Sequence, residues 1–138
     1  MKKALALLAA ALACACVSPP AFESFPKIDA HFHLNTADPA VVEFAERHGF
    51  RLMTLVTGSA SREEIDRELA WASAPHRARP RTVAYATTFS MEGWGEDGWA
   101  ERTVERLRQD LAGGAVAVKV WKDIGMTFRQ PDGRFIFI

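Results

Sequence analysis

From residue 27 onward the apolar positions alternate between two periods. Residues 27–34 read as a strand, with Ile28, Ala30, Phe32 and Leu34 expected on one face and Asp29, His31 and His33 on the other. Asp38-Pro39 is a helix start, with an N-cap and a proline at the first helical position. Val41, Val42, Phe44 and Ala45 then recur at helical spacing until Gly49. Residues 51–57 form a β-rich run. Ser61, with Glu64 three residues on, is a capping box. It opens a second helix on Ile65, Leu69 and Ala72, which Pro75 is expected to end or bend. Residues 82–89 read as a third strand, and 91–98 as a loop rich in Gly and Trp. A third helix is predicted from about Trp99 to Ala112, with Val104, Leu107 and Leu111 on its packed face, closed by Gly113-Gly114. Residues 115–121 read as a fourth strand. A turn at 130–134 and an apolar run at 135–138 follow.

The order β-α-β-α-β-α-β, with helical stretches between the strands, implies right-handed parallel crossovers and an α/β class. An open doubly wound sheet and a barrel both fit. No G-x-G-x-x-G follows the first strand, which weakens a dinucleotide fold.

The first 26 residues have another character. Lys2 and Lys3 precede an unbroken apolar run at 4–13, and small residues follow, the layout of a secretory signal peptide. The run is shorter than the roughly 20 residues of a membrane span. Ala11-Leu12-Ala13-Cys14 resembles a bacterial lipobox, which implies a lipid anchor on Cys14, with residues 1–16 as the signal. Cleavage after Ala13 or Ala15 is the alternative. Residues 17–26 read as a tether. Either way the folded part, 27–138, is expected to act outside the cytoplasm, in the periplasm or anchored to a membrane.

Both cysteines, Cys14 and Cys16, lie in the signal, so no disulfide framework is expected in the folded part. Formal net charge is zero and 25% of residues are charged, so nothing points to nucleic acid as a partner.

Candidate chemistry starts at Asp29-Ala30-His31-Phe32-His33. Two imidazoles on one face at the C-terminal end of a first strand can converge on one metal ion, and that end carries the active site in barrel enzymes. In residues 115–121 the three valines share one face, and Lys119 shares the other with Ala117 and Trp121. An inward lysine is costly unless paired, in contact with substrate, carboxylated as a metal ligand, or reaching the solvated rim. Lys122 faces the other way. Trp94 and Trp99 either wall a substrate pocket or pack under their loop. His48 and His76 read as surface residues.

These stretches, Ile28-Asp29-Ala30-His31-Phe32-His33-Leu34 above all, with 114–122 and 87–93, resemble the amidohydrolase superfamily in its amidohydrolase-related branch. The resemblance implies the first four βα units of a TIM (β/α)₈ barrel, truncated relative to the roughly 250 residues of a whole one. It implies a divalent metal, zinc or a similar ion, that activates water and polarises a carbonyl. His31 and His33 match the first-strand ligands, and Lys119 matches the fourth-strand position that is a carboxylated lysine in two-metal members. The implied reaction is hydrolysis of an amide, ester or related bond of a small-molecule substrate, or decarboxylation. The family also uses histidines of the fifth and sixth strands and an aspartate of the eighth, so the chain reads as an incomplete enzyme.

Two other readings remain open on the residues alone. One is a non-catalytic envelope lipoprotein, whose half barrel is a truncated relic or pairs with a second copy as a homo-oligomer. The other is a related metal-dependent nuclease or phosphoesterase, which predicts acidic ligands on the middle strands.

Overall fold

The computed structural model describes residues 21–58 and 61–136. Cys14 and the rest of residues 1–20, on which the expected signal falls, lie outside the described residues. Four parallel strands, β1 (Lys27–Phe32), β2 (Phe50–Leu55), β3 (Val83–Thr87) and β4 (Ala117–Val118), stand in the order β1-β2-β3-β4. Helices α1 (Ala40–Arg47), α2 (Arg62–Ala78) and α3 (Trp99–Ala112) make the three crossovers. The chain is thus α/β, with a curled, all-parallel half-barrel sheet compatible with part of a TIM barrel.

The local signals act much as the sequence predicts. Asp38 Oδ1 accepts from Ala40 N at 2.9 Å, and Pro39 already has helical dihedrals. Gly49 stops α1 with φ +71°. Ser61 Oγ accepts from Glu64 N at 3.2 Å at the start of α2. Pro75 does not end α2, which runs one turn further to Ala78. Arg79 N still reaches Pro75 O at 2.8 Å, so the proline removes a donor without unwinding the last turn.

The core lies between sheet and helices in two clusters. Phe32, Leu34 and Val83 pack with Val41 and Val42 of α1. Val56, Tyr85 and Ala115 pack with Ile65, Leu69 and Ala72 of α2. The alternation expected along β1 is broken. Asp29 pairs with Leu52, and Phe32 pairs with Thr54, so three steps on β1 match two on β2. Asp29 therefore shares the helix-side face of Leu52 and not that of the histidines. Ile28, opposite Arg51, lies on the other face from Phe32 and Leu34 and is 69% exposed.

Helix α3 is rotated from the expected face. Val104 and Leu111 are both 45% exposed, while Asp110 is buried. Its carboxylate accepts from Thr87 Oγ1 at 2.5 Å and from Arg106 Nε at 3.0 Å. Arg106 also forms a very short hydrogen bond to Asp66 of α2. A buried carboxylate is tolerated only when bonded, and Thr87 on β3 supplies the donor that turns Asp110 inward.

Strand β4 is shorter than expected. It is flanked by the ladder bonds Val116 N to Tyr85 O (2.9 Å) and Lys119 N to Thr87 O (2.6 Å). Val116, Val118 and Val120, expected against helices, are 59%, 37% and 47% exposed. No helix among the described residues follows β4 to cover them. The predicted turn at 130–134 forms, with Gly133 N bonded to Gln130 O, and Ile136 of the apolar run that follows is buried. Phe137 and Ile138 lie outside the described residues.

At the N-terminal end of the sheet, His76 is not a surface residue. Its Nδ1 lies 2.8 Å from Val83 O, and its ring packs edge-on against Tyr85. Tyr85 donates to Gly113 O at 3.1 Å. Gly114 sits against His76 at φ +111°, and a Cβ there would stand 3.0 Å from His76 Nε2. His48 is exposed, as expected, and lies against Phe44.

Two outcomes are expected. Asp110→Ala leaves the Thr87 hydroxyl only the longer contact to Thr88 O at 3.4 Å and should cost about 2 kcal/mol in denaturant unfolding; an unchanged midpoint would show the network to be dispensable. Burial, then the nearby Asp110 carboxylate, raise the Tyr85 phenol above its usual value of about 10. Below that pH the phenol is neutral in both folded and unfolded chains. Above it the unfolded chain ionises first, so stability falls as pH rises. The chain has one tyrosine, so tyrosinate absorbance reports Tyr85 alone. Its midpoint should lie higher in the folded than in the urea-unfolded protein, and Tyr85→Phe should remove the alkaline loss of stability. Coincident titrations would contradict this.

Candidate metal centre

The candidate site begins where the β1 ladder slips. Beyond the slip Phe32 and Leu34 turn toward α1, so His31 and His33 turn to the concave face, away from the helices. The loop after β1 is held by Leu34 N donating to Thr54 Oγ1 at 3.0 Å. Asp29 Oδ1 accepts from His31 N at 3.1 Å and fixes the backbone at the slip.

The two imidazoles meet edge to face, with centroids 5.0 Å apart and Nε2 atoms 3.1 Å apart. Two nitrogens bound to one tetrahedral zinc at about 2.05 Å stand about 3.3 Å apart. The pair therefore fits two positions of such a shell with a shift of a few tenths of an ångström.

His33 Nδ1 lies 3.2 Å from Leu55 O. A carbonyl only accepts, so Nδ1 carries the hydrogen and Nε2 presents its lone pair, the tautomer that metal-bound histidines adopt. Without a metal, the short contact needs a proton on His31 Nε2. With one, His31 takes the Nδ1–H tautomer. Both rings are solvent-exposed.

The pair has no third ligand nearby: among the described residues there is no group of three or more His, Cys, Asp or Glu able to hold a metal ion. Lys119 directly follows β4, at the opposite edge of the sheet. Ala117 pairs with Ala86, so Lys119, two residues on, shares the concave face with the histidines. Three strand spacings separate them, about 14 Å along the sheet. Its backbone is pinned on both sides, by Thr87 O and by Thr88 Oγ1, which donates to Lys119 O at 2.7 Å. Among the described residues its ammonium has no ion-pair partner.

The structure thus brings His31 and His33 together and leaves Lys119 apart. Trp94 and Trp99 pack on each other at 4.5 Å, and Trp99 also lies against Phe89. Trp99 is packed against both aromatic rings, its buried Nε1 without a hydrogen-bond partner among the described residues, while Trp94 is 38% exposed.

Sequence reasoning missed the group of Arg62 and Asp66 in the first turns of α2 with Arg102 and Arg106 of α3, which lines a cavity with Ser90 and Thr103. The available signal was the i, i+4 pair Arg106–Asp110 on the inward side of α3. Comparison of the chain with protein-family models, with curated proteins and with solved structures finds no match.

Asp29 is a positioning residue in this arrangement. Asp29→Ala should weaken zinc binding by about tenfold or more, read by competition with a chromophoric chelator. Undiminished affinity would show that the backbone at His31 holds without it.

Proposed function

We propose that the chain is part of an exported, metal-dependent hydrolase of the amidohydrolase type. The reading is carried by one observation: the His31 and His33 Nε2 atoms stand 3.1 Å apart at the C-terminal end of the first strand of a parallel half-barrel. Supporting it are the Leu55 carbonyl that sets the His33 tautomer and the lysine on the concave face of β4. The lysine-flanked apolar run at the N-terminus supports export.

His31 and His33 would hold the metal through Nε2. When bound, a divalent ion of this kind lowers the pKa of a bound water and polarises a carbonyl. The residues present do the orienting. Asp29 fixes the His31 backbone, and Leu55 O holds the His33 ring. Lys119, a single cation on an otherwise apolar stretch, suits an anionic part of a small substrate or, carboxylated, a second ligand position. Catalytic zinc uses three protein ligands and a water, and the family resemblance implies that the others belong to later strands than these four.

Purified protein equilibrated with zinc and desalted should retain about one or two equivalents. The His31→Ala/His33→Ala double variant should retain none, with its circular dichroism unchanged. Equal metal content in both proteins would remove the basis of the proposal.

A further inference from the structure

The cavity beside α2 and α3 has a chemistry of its own. It encloses about 110 Å³ and opens at the end of β3, on the helix side of the sheet. Three arginines line it, Arg62, Arg102 and Arg106, with one acidic residue, Asp66, and with Ser90 and Thr103.

The arginines are not equally engaged. Arg106 is committed to Asp66 and Asp110, which raise its already high pKa against the opposing effect of burial. Arg62 and Arg102 face only Glu92 at 3.6 Å and Glu96 at 3.9 Å, beyond hydrogen-bonding reach, and those carboxylates are 62% and 73% exposed. Such pairs are worth about 0–1 kcal/mol and are readily exchanged for a better anion.

Both guanidiniums are nevertheless steered by backbone. Arg102 Nη1 donates to Asp97 O at 3.0 Å, and Arg62 Nη2 lies 3.5 Å from Glu92 O. Each keeps most of its five N–H donors for a ligand. Arg102 and Thr103 belong to the first turns of α3, whose Gly98 cap supplies no side-chain acceptor, so the helix dipole adds to the positive field. Ile65 and Phe89 give the cavity apolar wall, which strengthens a charge-assisted bond inside it.

We infer that this cavity binds a single phosphate-class oxyanion, held by the forks of Arg62 and Arg102 with Arg106 behind them. Planar guanidinium forks match the paired oxygens of such a group, and the cavity has room for it. The inference is independent of the histidine pair, which lies on the opposite face of the sheet.

The test is calorimetric titration of the full chain with inorganic phosphate at fixed ionic strength. Saturable binding is expected, with acetate and chloride failing to compete at the same ionic strength. Arg62→Gln and Arg102→Gln should each weaken it by about tenfold, and the double variant should abolish it. Arg102→Lys, which keeps the charge and loses the fork, should fall between, which separates recognition from simple charge. Arg108→Gln, on an exposed side chain of the same helix, should change nothing. Unchanged phosphate affinity in the folded double variant, or equal competition by chloride, would overturn the inference.

Discussion

The one-residue slip between β1 and β2 is the constraint on which the candidate site depends. In a regular ladder Asp29 opposite Leu52 would place His31 opposite Thr54, on the face that packs against the helices. The slip sets Phe32 there instead, so that Phe32 and Leu34 complete the core around Val42 and the histidines are left facing the concave side. Apolar burial and the placement of the histidine pair are thus settled by the same irregularity. Its local support is the Asp29 carboxylate on the His31 amide, a short-range bond of the kind aspartate makes at turns and bulges.

A second polar arrangement ties the helices to the sheet. Asp110, nearly enclosed, joins β3 through Thr87 and α2 through Arg106 and Asp66. It holds α3 in an orientation that hydrophobic periodicity alone would not choose, with Leu111 turned outward. The arginines on the same side of α3 and at the start of α2 come together because of this rotation. The anion cavity and the packing of α3 therefore have one origin.

The α/β order, the caps at Asp38 and Ser61, and the limits of α3 were legible because each is dictated within a few residues of chain. The H-x-H pair was legible as a pair, since alternation brings neighbours two apart to one side whatever the register. What alternation could not show was where its phase breaks, because a slip is decided by the partner strand: Thr54 and Leu52 are as much responsible as Asp29. The inward face of α3 failed for a related reason, since an aspartate on an amphipathic helix is read as solvated unless its partner, here Thr87 on a distant strand, is known. His76 was misread likewise. Its acceptor, Val83 O, lies beyond the end of its own helix, and Tyr85 is on the next strand.

The two ends of the sheet are constrained by different things. At the histidine end, the rings are open to solvent and what matters is the chemical identity of a few groups. At the other end, a methyl group on Gly114 would crowd the His76 ring at 3.0 Å, and the backbone there lies in a region that side chains disfavour. Substitution there is limited by shape before chemistry enters. A lineage of such chains is free to vary its rim loops, while the seam of Gly114, His76 and Tyr85 stays fixed as the hinge pin around which the variation occurs.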